Sequence, residues 1–412
     1  MIRRLRNLGP GLLVTAAFIG PGTVTTASVA GASTGYAVLW AIIFSIFATI
    51  VLQEMSARLG VVSREGLGEA LRTTFDNPAI KFGAIVLVVA AIAFGNAAFE
   101  TGNITGAALG LETLSGISPQ IWAVLVGIVS FALLASGAYR LIERALVVLV
   151  IVMSVVFIVT AIIVIRPGDL GNILAGAFVP SIPPGALLTV AALIGTTVVP
   201  YNLFLHASSV QEKWPESVPT REALIESRSD TTISIVLGGL ITVAILATGA
   251  AAFFGTGTEI TDAGQMAEQL EPLLGPFAKY FFAIGILAAG VTSAITAPLA
   301  AAYATSGALG WERNLRGWKF RAVWLIVLVV GTVLAALGTN PVAAIVFAQA
   351  ANGVLLPIVA VFLLFVMNRA DLLGEFKNGT VANILGAIIV LFAAALGIRT
   401  IYFALLTAGV VG

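Results

Sequence analysis

Eleven apolar stretches, most of them about 20 residues long or longer, run along this chain of 412 residues. An apolar helix of about that length crosses the hydrocarbon core of a bilayer. Apolar residues make up 59% of the chain and charged residues 10%, and the mean hydropathy is +1.06. The sequence therefore predicts an all-α, polytopic integral membrane protein. The predicted spans lie near 11–34, 37–59, 80–110, 120–138, 143–165, 185–210, 231–254, 276–307, 321–338, 342–366 and 380–410.

Lys and Arg alternate between successive connections, as the positive-inside rule requires. The connection at 255–276 carries four acidic residues and no basic one, so we expect it outside the cell. An odd number of spans then predicts a cytoplasmic amino terminus and an extracytoplasmic carboxyl terminus in the plasma membrane. The basic residues that mark the inner side are Arg3, Arg4, Arg6, Arg58, Arg64, Arg72, Lys81, Arg140, Arg144, Lys213, Arg221, Arg228, Arg313, Arg316, Lys319, Arg321, Arg369 and Lys377.

Composition excludes several classes of function. The chain has no cysteine, so disulfides, thiolate metal sites and cysteine nucleophiles are excluded, and a net charge of +1 points to no nucleic-acid partner. No connection can hold a soluble domain and no Walker-type phosphate loop is present, so we expect neither an enzyme nor a cofactor. We also expect a monomer. A cleaved signal peptide is not expected, because the first apolar segment is too long for one. Any active transport must then use an ion gradient.

Proline interrupts two of the apolar stretches, at Gly20–Thr23 and at Val199–Asn202. Proline inside a membrane helix frees backbone groups, which are tolerated only where they line a cavity. A matched pair of broken helices indicates the binding site of a transporter built from inverted repeats. We therefore predict one transmembrane domain over 1–412, with a five-helix repeat at 10–166, its inverted copy at 183–367 and an extra helix at 380–410.

The residues around the second break carry a family resemblance. Pro200–Ser208 resembles the Pro-His-Asn-Leu-Tyr-Leu-His-Ser-Ser stretch of NRAMP divalent-metal transporters, and the first break occupies the place of their Asp-Pro-Gly-Asn motif. Further matches are Leu52–Glu54, Arg58–Val62, Ala289–Gly290, Gln349 and Leu356–Pro357. The resemblance implies a LeuT-type fold, with the substrate held between broken helices 1 and 6 and transport coupled to protons.

The ligand positions depart from the family pattern. The resemblance implies an aspartate and an asparagine in helix 1 and a methionine in helix 6, where this chain has Gly20, Thr23 and Val199. Without a carboxylate or thioether at the breaks, the site favours a hard, partly hydrated ion such as Mg²⁺ over Mn²⁺ or Fe²⁺. No metal ligand is assigned. The predicted substrate-binding residues, with Pro21 and Pro200 as the helix breaks, are Gly20, Gly22, Thr23, Val199, Tyr201, Asn202, Gln349 and Asn352.

Four residues are predicted to line a proton route. Glu100 and Asn103 stand where the family carries acids in helix 3, and an acid within a membrane helix is functional by default. His206 is the only histidine and can change charge near physiological pH, although hydrogen-bonded packing explains it equally well. Glu54 is the fourth candidate, and it could instead form an interfacial ion pair with Arg58.

Three functions remain open on the sequence alone. The first is secondary-active transport of a divalent cation, the usual role in the family. The second is transport of a small organic acid or amino acid, because exposed amides at a half-helix start can bind a carboxylate. The third is a membrane protein that keeps the fold without transporting. Gly102, Gly106 and Gly110, spaced by four residues, predict close helix packing rather than recognition.

Overall fold

The computed structural model describes residues 9–136, 139–312, 314, 316–338 and 340–407, with all their side chains except those of 139–146. Several residues used in the sequence predictions lie outside this description. They are Arg3, Arg4, Arg6, Arg313, the side chains of Arg140 and Arg144, and the predicted span ends at 137–138 and 408–410.

The described residues form ten helices long and apolar enough to cross a membrane, and a bent pair at the start supplies an eleventh. The predicted number of spans is therefore confirmed. Span 1 consists of half-helices 1a (Pro10–Phe18) and 1b (Pro21–Thr34), and span 6 of half-helices 6a (Leu187–Thr197) and 6b (Pro200–Lys213). The others are span 2 (Leu39–Ser63), span 3 (Pro78–Ser115), span 4 (Pro119–Ser136), span 5 (Tyr139–Val164), span 7 (Thr220–Phe253), span 8 (Ala278–Leu309), span 9 (Trp318–Leu337), span 10 (Pro341–Met367) and span 11 (Thr380–Thr407).

Spans 7 and 3 exceed their predicted lengths by the largest margins. Span 7 begins at Thr220 instead of 231, because its first turns carry charged residues that hydropathy excludes from a span. Span 3 starts at Pro78, where the Asn77 side chain accepts from the amide of Ala79 at 2.9 Å, and it ends before Gly116 in the left-handed region. Both helices thus project beyond the apolar segment. Short helices lie between spans at Leu67–Thr74, Leu170–Phe178, Ala263–Glu268, Glu271–Leu274 and Ala370–Leu373.

Burial separates central from peripheral spans. In the apolar window of span 6, 89% of the residues are buried, against 28% in spans 4 and 11. Spans 1, 2, 6 and 7 pack on one another as a bundle, whereas spans 3 and 8 cross beside it and contact spans 4, 5 and 9. Span 10 packs on span 3 and on half-helix 6a. Both broken helices therefore lie inside the fold.

Glycines of span 3 let other helices approach closely, as their spacing predicts. A β-carbon at Gly106 would overlap the ring of Pro21, and one at Gly110 would lie 2.6 Å from the carbonyl oxygen of Ala283 in span 8. Gly102 faces span 10 at van der Waals distance. These contacts confirm the packing role and fix span 3 against both the first break and span 8.

Candidate functional site

The break in span 1 separates Phe18 from Pro21 and bends the helix by 55°. Gly20 lies between the halves with an extended backbone, and its amide donates to the carbonyl of Phe18 at 3.0 Å. Pro21 has no N–H, so the carbonyl of Ala17 loses the partner that a continuous helix would provide. The break therefore frees a backbone oxygen inside the fold.

Thr23 ties this break to span 6. Its hydroxyl bonds to the carbonyl of Phe18, across the break, and lies 2.7 Å from the hydroxyl of Thr196 in half-helix 6a. Both threonines are fully buried. One hydroxyl thus connects half-helices 1a, 1b and 6a at a single point.

The break in span 6 is at Val199, whose backbone is extended with φ −80° and ψ 121°. Pro200 begins half-helix 6b without an N–H, so the carbonyl of Thr196 loses its helical partner as the carbonyl of Ala17 does. The Val199 side chain is 1% exposed and carries no ligand atom. Each break thus frees a backbone oxygen three residues before a position, Gly20 or Val199, where the family resemblance implied a side-chain ligand.

Tyr201 and Asn202 follow the second break and are both buried. The Tyr201 ring packs edge-on against Phe99 of span 3, with the ring centroids 5.5 Å apart. The Asn202 amide nitrogen donates to the carbonyl of Val14 in half-helix 1a at 3.5 Å, and its Oδ1 atom has no partner in the described part of the chain. Asn202 therefore contacts half-helix 1a and keeps an oxygen without a partner.

Two amides of span 10 line the opposite side. The Gln349 side chain lies against Gly22 and Gly102, and neither its Oε1 nor its Nε2 has a hydrogen-bond partner among the described residues. Asn352 lies one turn further along, where a β-carbon at Gly95 would be 3.0 Å from its Oδ1. Both side chains are at most 1% exposed. The structure thus places both predicted lining residues against helices that surround the breaks.

Glu100 is fully buried in span 3. One carboxylate oxygen accepts from the Asn103 amide at 3.2 Å, and the other has no partner in the described chain. Its β- and γ-carbons pack on Gly331 of span 9, where a side chain would displace them. Glu100 belongs to no ion pair of the described residues, so its charge has no fixed cation opposite it.

His206 is held from both sides. Its Nδ1 atom lies 2.9 Å from Oε1 of Gln53 in span 2, and its Nε2 atom lies 3.5 Å from the hydroxyl of Thr231 in span 7. The ring is fully buried. These contacts join half-helix 6b to spans 2 and 7, as the packing alternative for this histidine expects.

Glu54 forms the ion pair that its spacing predicts. It lies 3.1 Å from Arg58 on the same helix, and a second bond of 2.8 Å reaches Arg228 of span 7. Arg58 also donates to the carbonyl of Phe376 and to Asn378, both beyond span 10. No hydrogen bond or ion pair of the described residues joins this cluster to Glu100.

Two further polar residues reach the breaks without having been predicted. They are Thr196 and Ser293, whose Oγ atom would lie 2.9 Å from a β-carbon at Gly20. The neighbouring Thr292 bonds to the carbonyl of Ala288 in its own helix at 2.8 Å, as membrane threonines often do. A signal for Thr196 was present in the sequence, because it stands four residues before Pro200 and its carbonyl is the one that proline frees.

The chemistry of the site is that of neutral oxygens with one carboxylate. No three His, Asp or Glu side chains come together in the described residues. An unpartnered buried polar atom costs about 1–3 kcal/mol. Oxygen atoms of this kind are the ligands that hard cations prefer. Several buried side-chain oxygens of the described residues have no hydrogen-bond partner, and four of them belong to predicted site residues: Glu100 Oε1, Asn103 Oδ1, Asn202 Oδ1 and Gln349 Oε1.

Comparison with known families decides the relationship. The model of the natural resistance-associated macrophage protein-like family, Nramp, matches residues 11–403. The chain belongs to the Nramp family. The resemblance carried by the two breaks is therefore confirmed, and the match covers almost the whole of this Nramp protein.

Curated relatives match over nearly their full length. A protein of Deinococcus radiodurans named divalent metal cation transporter MntH is 31% identical over 403 residues, which cover 96% of this chain and 89% of the relative. A protein of the same name from Klebsiella pneumoniae is 28% identical over 397 residues, covering 95% and 93%. These relatives are named as transporters rather than enzymes, in agreement with the sequence-based expectation for this Nramp protein.

Solved structures share the fold. A manganese transporter of Eremococcus coleocola, in complex with an aromatic bis-isothiourea compound, superimposes with a TM-score of 0.79 at 23% identity and covers 97% of this chain and 86% of its own. MhsT in complex with L-phenylalanine superimposes with a TM-score of 0.61 at 14% identity, covering 95% and 97%. The predicted LeuT-type fold, with helices 1 and 6 broken, is confirmed.

Proposed function

We propose that this Nramp protein is a secondary-active transporter of a divalent metal cation. The observation that carries the proposal is that Glu100, Asn103, Asn202 and Gln349, which lie on the helices around the breaks, each keep a buried side-chain oxygen without a partner among the described residues. A cation would give these oxygens the partner they lack. The names of the curated relatives favour a metal ion over an organic solute.

The substrate site lies between the two breaks. Thr23, Asn202 and Gln349 supply side-chain oxygens, and Ala17 and Thr196 supply the carbonyls that the prolines free. Asn352 extends the polar lining along span 10, and Tyr201 closes the site against span 3. Gly20, Gly22 and Val199 shape it without donating a ligand.

The preferred substrate is Mg²⁺. Mn²⁺ and Fe²⁺ gain affinity from nitrogen and sulfur ligands, and the breaks contain neither a thioether nor an imidazole. Mg²⁺ takes oxygen ligands and keeps several of its waters, so few direct contacts are needed. Amide, hydroxyl and carbonyl oxygens fit such an ion, whether they touch it or its water shell.

Glu100 balances the charge of the substrate. A buried acid in a membrane helix costs about 3 kcal/mol, and Glu100 has no basic partner among the described residues. Glu100 is therefore either protonated, and so neutral, or ionised with its negative charge balanced by the bound cation. When the cation binds, Glu100 would release its proton toward the cytoplasm, with Asn103 and His206 beside the route, so that proton and cation move inward together and an inward proton gradient drives uptake.

Transport follows from alternating access in a monomer embedded in the plasma membrane, with the amino terminus in the cytoplasm. The half-helices of spans 1 and 6 hinge at their breaks and open the site to one side at a time. In this structure Thr23, Asn202 and Gln349 are all fully buried.

The test is uptake into proteoliposomes that contain the purified chain. Mg²⁺ and Mn²⁺ are offered separately, each with and without an inward proton gradient. We expect saturable Mg²⁺ uptake that exceeds Mn²⁺ uptake and increases with the gradient. Absence of saturable uptake of either ion, from protein that elutes as a single folded species, would overturn the proposal. Saturable uptake that is the same with and without the gradient would contradict the proton coupling but not the transport of a metal cation.

A further inference from the structure

The hydroxyl of Thr196 does not return to its own helix. Threonines within these spans generally bond to the carbonyl one turn earlier, as Thr197 does to Leu193 at 3.1 Å. Thr196 is equally buried, yet its hydroxyl lies 2.7 Å from that of Thr23 in half-helix 1b. It is thus directed across the substrate site.

The direction of this hydrogen bond follows from counting protons. A hydroxyl has one hydrogen to donate, and a carbonyl oxygen can only accept. The hydroxyl of Thr23 bonds to the carbonyl of Phe18, so it must donate there. Its contact with Thr196 is then one in which Thr196 donates and Thr23 accepts. Both hydrogens are used, and the remaining lone pairs of the two oxygens can only accept.

We propose that Thr196 is a specificity-determining residue, whose hydroxyl forms with that of Thr23 an acceptor-only pair facing the transported cation or its first water shell. The inference rests on the proposed function and adds a ligand-bearing residue to the site. A pair that only accepts attracts a cation or a water bound to it and repels a carboxylate. Because both atoms are hard oxygens, the pair favours Mg²⁺ over softer ions.

Loss of the hydroxyl is the first test. Thr196→Val keeps the shape of the side chain and removes the oxygen, and Thr197→Val is the matched control, because that hydroxyl serves only its own helix. We expect Thr196→Val to raise the KM for Mg²⁺ uptake about tenfold and to lower the Mg²⁺/Mn²⁺ ratio. Thr196→Ser should restore the affinity relative to Thr196→Val, and Thr197→Val should behave as the wild type.

A gain of soft-metal binding is the second test and does not depend on the valine variant folding. The chain has no native cysteine, so Thr196→Cys places a single sulfur at the proposed ligand position, with Thr197→Cys as its control. We expect Thr196→Cys alone to bind Cd²⁺ more tightly than the wild type in equilibrium titration.

The outcomes separate the two proposals. If the wild type takes up Mg²⁺ while Thr196→Val keeps its KM and ion ratio, this inference is wrong and the proposed function stands. Equal Cd²⁺ affinity in the two cysteine variants would overturn it as well. If the wild type takes up no metal, the proposed function is wrong, and this inference, which rests on it, is wrong with it.

Discussion

The side-chain amide of Gln349 lies so close to Gly22 that a β-carbon at residue 22 would overlap it. The Gln349 amide therefore occupies the space that the β-carbon of any other residue at position 22 would need. The amide is fully buried and has no hydrogen-bond partner in the described chain. At the first break, a glycine thus leaves room for an amide that forms no hydrogen bond with the described residues.

Gly22→Ala should push the Gln349 amide out of the substrate site. Overpacking of this kind costs about 1–3 kcal/mol, and the displaced amide can no longer contact the cation. We expect Mg²⁺ uptake to fall about tenfold or more while the protein still folds. The control is Gly83→Ala in span 3, where a β-carbon meets nothing within 4 Å. Unchanged uptake in Gly22→Ala would show that Gln349 does not contribute.

Gly20→Asp should move the ion preference toward Mn²⁺. The backbone at Gly20 has φ −117°, which any residue adopts, and the closest obstacle is the hydroxyl end of Ser293. The variant restores the carboxylate that the family resemblance implies at this position. We expect tighter Mn²⁺ binding and a lower Mg²⁺/Mn²⁺ uptake ratio. A ratio that does not change would place the transported ion away from the first break.

Asp230 should stabilise the start of half-helix 1a. Its two carboxylate oxygens accept from the backbone amides of Gly9 and Gly11 at 3.0 and 2.8 Å, and the side chain is buried. Asp230→Ala removes this cap, which should cost about 1–3 kcal/mol and lower the thermal midpoint. Asp230→Asn keeps one acceptor oxygen, so its thermal midpoint should lie between those of the wild type and Asp230→Ala.

The control for this loss is Glu222→Ala, which removes an exposed acid from the start of the same helix, span 7. It should leave the thermal midpoint within error of the wild type. If both variants unfold together, the loss reflects net charge and not the cap.

Cysteine labelling should establish the orientation. The chain has no cysteine, so single cysteines need no altered background. Thr258 and Ser217 are both exposed in connections on opposite sides of the predicted topology. A membrane-impermeant maleimide added to intact cells should label Thr258→Cys and leave Ser217→Cys unreacted until the cells are opened. The reverse pattern would contradict a cytoplasmic amino terminus.

Much of the fold could be predicted from short segments of the sequence. Hydropathy located the spans, because the length and apolar composition of one segment are enough to predict a transmembrane helix, whatever it packs against. The prolines located both breaks, since the lost N–H is a property of the residue itself. The spacing of Glu54 and Arg58 predicted their ion pair for the same reason, as both lie on one helix.

Contacts between distant segments could not be predicted in this way. Arg228 completes the cluster around Glu54 from 174 residues away, and Asp230 caps half-helix 1a from 219 residues away. The bond between Thr196 and Thr23 spans 173 residues. Each depends on how the helices pack. The residues at the breaks could therefore be named from the sequence, whereas their partners could not.

The measurement that tests the account most directly is Mg²⁺ uptake by Glu100→Gln in proteoliposomes. This change keeps the side-chain shape and can keep the bond to Asn103, but it removes the charge that is proposed to balance the cation. The control is Glu112→Gln, near the end of the same helix. We predict that Glu100→Gln folds and loses at least about 90% of uptake, a tenfold effect of about 1.4 kcal/mol, while Glu112→Gln does not. Wild-type Mg²⁺ uptake by Glu100→Gln would contradict the account.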